Sequence, residues 1–155
     1  MSNEMADGKT RRILVVDDNH ALVRIMEAVL QKHGYQVLTA FDGFSAIELA
    51  LNQKPDLIIL DIEMPGIDGY RVCHRLQRSE ITAKIPVLML TVKGQVDEPG
   101  IPSERTLAMR VAERNRGYEV GATDFISKPI RAQDLVERVK MLLWVDTASP
   151  GENNR

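Results

Sequence analysis

The sequence predicts an α/β fold: a parallel sheet of five strands, doubly wound, with helices on both faces. Three observations carry that prediction. Short apolar runs recur along the chain at Ile13–Val16, Tyr35–Ala40, Leu57–Leu60, Pro86–Thr91 and Asp124–Ser127. Runs such as Leu57-Ile58-Ile59-Leu60 lack polar alternation, as strands buried on both faces do. Between the runs, apolar residues fall at helical spacing, and strand–helix alternation argues for parallel pairing with right-handed crossovers. A length of 155 residues allows one domain with a substantial core and is too short for two comfortable ones.

Taken in order, residues 1–11 are polar and unpatterned and read as a flexible leader. Ile13-Leu14-Val15-Val16 runs directly into Asp17-Asp18, and Asn19 can cap the helix that follows. Leu22, Ile25, Met26, Val29 and Leu30 mark one face of this helix, and His33-Gly34 closes it. After the second strand, a helix over Phe44–Asn52 turns Ala46, Ile47, Ala50 and Leu51 inward. Lys54-Pro55 punctuates before the third strand, whose apolar run ends in Asp61 and is followed by the turn residues Met64-Pro65-Gly66.

Asp68 can cap a third helix reaching Gln77, with Val72, Cys73 and Leu76 apolar. The fourth strand, Pro86–Thr91, leads into a Gly/Pro-marked segment, Gly94–Pro102. A fourth helix is expected from about Ser103 to Tyr118. The fifth strand, Asp124–Ser127, is followed by Lys128-Pro129 and a last helix over Ala132–Trp144 carrying Leu135, Val136, Val139, Leu142 and Leu143. The expected organisation is a leader over 1–11, a folded domain over 12–145 with an insertion at about 95–114, and a flexible tail over 146–155.

Composition narrows the function classes. The chain is 44% hydrophobic and 27% charged, ordinary for a globular domain. Twenty basic and 22 acidic residues give a formal charge of -2, without the basic excess of a nucleic-acid binder. Cys73, the sole cysteine, can form neither an internal disulfide nor a cysteine zinc cluster. No apolar stretch has signal-peptide or membrane-span length, so the expected location is cytoplasmic, with no membrane partner.

The chemistry gathers at the strand ends. In a parallel sheet the carboxyl ends of the strands share one edge, where ligand crevices form. Asp17, Asp18, Asp61, Thr91 and Lys128 all fall there. Three adjacent carboxylates repel unless a cation joins them, and a hard divalent ion such as Mg²⁺ suits oxygen ligands. Adding a hydroxyl and an ammonium makes a set suited to phosphoryl transfer, with a carboxylate as nucleophile. Each residue alone also has an ordinary role: the aspartates as helix caps or turn residues, Thr91 in a strand, Lys128 as a solvated charge. Phe125 alone is core, as is Cys73, and Trp144 is expected to pack. His20, His33 and His74 lack metal-ligand spacing and are expected at the surface or at helix ends; His20 is close to the acidic pair in sequence.

Together the motifs resemble the receiver domains of two-component response regulators. They are Val15-Val16-Asp17-Asp18, Leu60-Asp61 with Met64-Pro65-Gly66-x-Asp68-Gly69, Leu90-Thr91, Gly121-Ala122-x-Asp124-Phe125-Ile126 and Lys128-Pro129, covering about residues 12–143. The resemblance implies a flavodoxin-like fold with strand order 2-1-3-4-5. It implies that Asp61 takes a phosphoryl group from a sensor histidine kinase or histidine phosphotransferase. Asp17, Asp18, Asp61 and the backbone carbonyl of Glu63 would hold Mg²⁺, Asp17 mainly through water. Lys128 would pair with Asp61, Thr91 and Phe125 would form the switch, and a cis peptide would precede Pro129. The fourth helix, fifth strand and last helix would build the face read by a downstream protein.

Some features depart from the family pattern. Roughly fifteen extra residues lie between Thr91 and Gly121, within about Gln95–Arg114, and Arg105, Arg110, Arg114 and Arg116 make the fourth helix locally basic. The insertion is either a solvated extension of the helix or an element that alters partner recognition or covers the site. Val92 stands where receivers usually have a very small residue, which implies slowed hydrolysis of the aspartyl phosphate. Glu63 and Lys93 flank the pocket and could pair across it. The expected function is a stand-alone, chemotaxis-type switch, a phosphoacceptor and not an enzyme. Alternatives are an aspartyl-phosphate phosphohydrolase of the haloacid-dehalogenase type, or a phosphorylation-independent scaffold.

Overall fold

A computed structural model describes residues 8–91, 115–116 and 120–148. The elements are β1 (Arg12–Val16), α1 (His20–Lys32), β2 (Gln36–Ala40), α2 (Gly43–Gln53) and β3 (Leu57–Asp61), then α3 (Gly69–Gln77), β4 (Val87–Thr91), β5 (Asp124–Ser127) and α4 (Ala132–Ala148). All neighbouring strands pair in parallel, in the order β2-β1-β3-β4-β5. This is the α/β architecture expected. Of the helix anticipated over 103–118 only residues 115–116 are described, and they are helical. The insertion at 95–114, with Val92 and Lys93, lies outside the described residues.

Strand alternation divides the core between the two faces of the sheet. Leu14, Val16, Ile58, Leu60 and Met89 pack with Ala46, Ala50, Val72, Cys73 and Leu76 of α2 and α3. Ile13, Val15, Leu57, Ile59, Leu88 and Leu90 pack with Val23, Met26 and Leu30 of α1 and with Leu135, Val139, Leu142 and Leu143 of α4. β3 is buried at all five positions because it lies in the middle of the sheet with helices on either side. Full burial of one Leu or Ile side chain is worth about 1.5–3 kcal/mol, so these runs are what make the sheet stable.

Side-chain caps start three helices. Asn19 accepts from the Leu22 N–H at 3.1 Å, and Asp68 from the Arg71 N–H at 2.9 Å. Asp42, which carries no strong sequence signal, caps α2 by accepting from the Ser45 N–H at 2.8 Å and the Ser45 hydroxyl at 2.9 Å.

The structure corrects three details. Ile25 is 59% exposed, whereas Val23 takes its place in the core. At helical spacing Ile25 falls roughly 130° from the middle of the Val23–Met26–Leu30 stripe, too far round to reach the sheet. Trp144 is 71% exposed beside exposed Met141, because the stripe of Leu135, Val139, Leu142 and Leu143 turns it outward. And α4 continues to Ala148, past the expected boundary at 145, since no glycine or proline intervenes before Pro150.

Candidate functional site

Strand register assembles the site. Val16 on β1 pairs with Leu60 on β3, so Asp17 and Asp61, one residue further on, lie side by side. Asp61 pairs with Leu90 on β4, and Thr91 pairs with Ser127 on β5, which places Lys128 just beyond. Residues more than a hundred positions apart in the chain thus meet at one edge.

Lys128 Nζ lies 2.9 Å from Asp17 Oδ2 and 3.0 Å from Asp61 Oδ1. Asp17 is completely buried and Asp61 is 2% exposed, while Asp18 is exposed at the mouth. Asp17 Oδ1 accepts from the Asn19 N–H at 3.0 Å, so the chain entering α1 holds this carboxylate in place. Burial is the main cause that pushes the Asp61 carboxyl up to about 6; the Asp17 charge adds to it, Lys128 opposes it and Asp18 contributes a little more. Burial disfavours the charged Lys128 ammonium, but its contacts with Asp17 and Asp61 outweigh this and raise its pKa.

The donor set fits a hard divalent cation. One carboxylate oxygen from each of Asp17, Asp18 and Asp61 lies within 4.8 Å of the others. Asp17 Oδ2 is buried and, apart from the ion pair with Lys128, has no aligned hydrogen bond. Three carboxylates facing one ammonium leave an excess of negative charge in a buried cleft, which a cation with oxygen preference would relieve.

The turn after β3 is held by a close backbone approach. The Gly69 N–H donates to the Ile62 carbonyl at 2.8 Å, and a Cβ on Gly69 would collide with the Asp61 carbonyl oxygen. Gly66 turns the chain with φ +86, a conformation that glycine adopts freely. Glu63 lies in this turn with its side chain exposed.

Thr91 is partly exposed, its hydroxyl 3.4 Å from the Ile126 carbonyl and 3.3 Å from Ser127 Oγ, so it is directed toward β5. Phe125 is 4% exposed, its ring within the core shared with α2 and α3. The Lys128–Pro129 peptide is cis. Sequence reasoning missed the clamp around Phe125: Asp124 Oδ1 accepts from the Phe125 N–H at 2.8 Å, and Asp124 Oδ2 pairs with Arg138 at 3.2 Å. Arg138 also donates to the Phe125 carbonyl. The only signal for it was an acid and a base on adjacent elements.

The histidines take the roles expected of them. His33 Nδ1 contacts the Val29 carbonyl at 3.0 Å at the end of α1. His20 is exposed at the start of α1 and stacks on Phe41, ring centroids 3.8 Å apart, and His74 is exposed on α3. Cys73 is buried, its thiol 3.4 Å from the Val120 carbonyl, and burial pushes its pKa up to about 11.

Known proteins share this fold. Residues 13–100 match the family described as the response regulator receiver domain. The chain is 39% identical over 132 residues to the DNA-binding dual master transcriptional regulator RpaA of Synechocystis, covering 85% of this chain and 48% of that protein. It is 42% identical over 131 residues to the response regulator PleD of Caulobacter vibrioides, covering 84% and 26%. The chain therefore spans about half the length, or less, of these curated relatives. Among solved structures, the chemotaxis protein CheY4 of Vibrio cholerae superposes with a TM-score of 0.71 at 26% identity, covering 85% of this chain and 98% of that one. The signal receiver domain of a signal transduction histidine kinase from Syntrophus aciditrophicus gives 0.70 at 32% identity, covering 86% and 90%. With the sheet order, the clustered aspartates and the family match in agreement, the chain belongs to the receiver domains of two-component response regulators.

Proposed function

We propose that Asp61 is a phosphoacceptor, taking a phosphoryl group from a phosphohistidine on a sensor histidine kinase or histidine phosphotransferase. The observation that carries this reading is the Lys128 ammonium, 3.0 Å from Asp61 Oδ1 and 2.9 Å from Asp17 Oδ2 in a buried acidic cleft. An Asp61 oxygen attacks phosphorus and forms a P–O bond. The P–N bond breaks, and its electron pair stays on the imidazole, which takes up a proton. Lys128 holds Asp61 in place beforehand and afterwards can pair with a phosphoryl oxygen. Asp17, Asp18, Asp61 and the Glu63 carbonyl would hold Mg²⁺, which supplies positive charge against the phosphoryl oxygens.

Thr91 and Phe125 are the residues through which the state is transmitted. A phosphoryl group at Asp61 offers the Thr91 hydroxyl a stronger acceptor than the Ile126 carbonyl. Turning away from β5 frees space beside Phe125, and the face of β5 and α4 changes with it. A downstream protein reads that face, and the switch operates in the cytoplasm. Among the described residues, no helix is long and apolar enough to cross a membrane.

Incubation with acetyl phosphate and Mg²⁺, followed by intact mass measurement, tests the chemistry. One phosphoryl adduct is expected on the native chain and none on Asp61→Ala. An adduct that persists in Asp61→Ala, or its absence from the native chain, rules the reading out.

A further inference from the structure

A second pocket lies away from the acidic cleft, on the outer side of α3. Its volume is about 400 Å³, and it is lined by Tyr70, Arg71, His74, Arg75, Arg116 and Val120. Arg71, His74 and Arg75 are exposed at i, i+3 and i+4 on one helix, so their side chains share one face. Arg116 joins them from a different part of the chain. Like charges at this spacing destabilise a helix unless something opposite compensates them. Among the described residues, no carboxylate pairs with Arg71, Arg75 or Arg116.

Aromatic rings position two of these cations. The Arg116 guanidinium lies 4.3 Å from the centroid of Tyr70, and that of Arg75 lies 5.7 Å from Phe44, a ring that is itself 57% exposed. Stacking restrains a guanidinium while leaving its in-plane N–H donors available. Planar, pre-oriented forks match phosphate oxygens in pairs. The pocket's volume lies within the range of small-molecule sites, and a concave site of this size suits a compact anion better than a long acidic peptide.

We propose that this pocket binds a small phosphorylated anion bearing at least two phosphate groups, held by Arg71, Arg75 and Arg116. The ligand is either a free polyphosphate or a nucleoside diphosphate. The site is independent of Asp61, which lies at the sheet edge. Occupancy would tie α3 to Arg116.

Titration calorimetry without Mg²⁺ at low salt, with sodium pyrophosphate and separately with ADP, tests the proposal on the full chain. Saturable one-to-one binding is expected. Arg75→Gln and Arg116→Gln should each weaken it at least tenfold. Lys140→Gln, a charge removed from α4 on the opposite side of the sheet, should change it less than twofold, and Asp61→Ala should retain it. Tighter binding of ADP identifies a nucleotide site, whereas equal or weaker binding identifies a polyphosphate site. Non-saturable binding, an equal loss in Lys140→Gln, loss in Asp61→Ala, or tighter binding of an oligoglutamate peptide would overturn the proposal.

Discussion

At the scale of single residues, Asp61 and Lys128 tie the stability of the fold to the charge in the acidic cleft. A folded-state carboxyl raised from 3.8 to about 6 favours folding only while protonated. That contribution is present in full below about pH 4 and is lost as pH rises through about 6. At pH 7.5 without metal, the ionised Asp61 therefore costs the fold about 1–3 kcal/mol. Asp61→Asn is expected to raise the midpoint of thermal unfolding by several degrees at pH 7.5, and the gap from the native chain should close as pH falls from 6 to 4. Mg²⁺ should stabilise the native chain and have little effect on the variant. Lys128→Met has the opposite sign, because it leaves Asp17 and Asp61 buried without their counterion. A loss of about 3 kcal/mol or more at pH 7.5, shrinking toward pH 5, is expected in urea unfolding. An unchanged midpoint would show that the ion pair contributes nothing.

At the scale of elements, α3 is anchored by the approach of Gly69 to the end of β3. Gly69→Ala forces a methyl group onto the Asp61 carbonyl, and a cost of about 1–3 kcal/mol is expected. Because the displaced carbonyl belongs to Asp61, the proposed phosphoacceptor, the variant should also be phosphorylated more slowly by acetyl phosphate, measured as the rate of adduct formation. The sequence made the strands legible because four of the five are dominated by apolar residues, and it made Asn19 and Asp68 legible because caps have a fixed relation to a helix start. It did not show that Val23 would be buried in place of Ile25, since which ridge faces the sheet depends on how α1 docks. The Asp124–Arg138 clamp was hidden for a related reason: it joins β5 to α4 across a turn, and neither residue announces its partner. Asp17, Asp61 and Lys128 were legible as types, whereas the ammonium between the two carboxylates required the register of β1, β3 and β5.

At the scale of the whole molecule, stability is graded across the sheet. β1, β3 and β4 each have neighbours on both sides, whereas β2 and β5 each have one. Hydrogen exchange of the metal-free protein should be slowest at amides of β1 and β3, which open only with global unfolding, and faster in β2 and β5. Uniform protection across all five strands would contradict that grading. The same sheet has direction as well as depth. All five parallel strands turn their carboxyl ends to the edge that holds the acidic cleft, so the opposite rim carries the beginnings of the strands. There Arg11 pairs with Asp56 at 3.6 Å, the Arg12 N–H reaches Asp56 Oδ2 at 2.8 Å, and the Arg12 side chain grips the Gln53 carbonyl at the end of α2. One rim is thus a workplace and the other a hem. Sequence drift, fusion of a neighbour or a surface tether at the hem can alter how firmly the cloth is held while leaving the workplace unchanged.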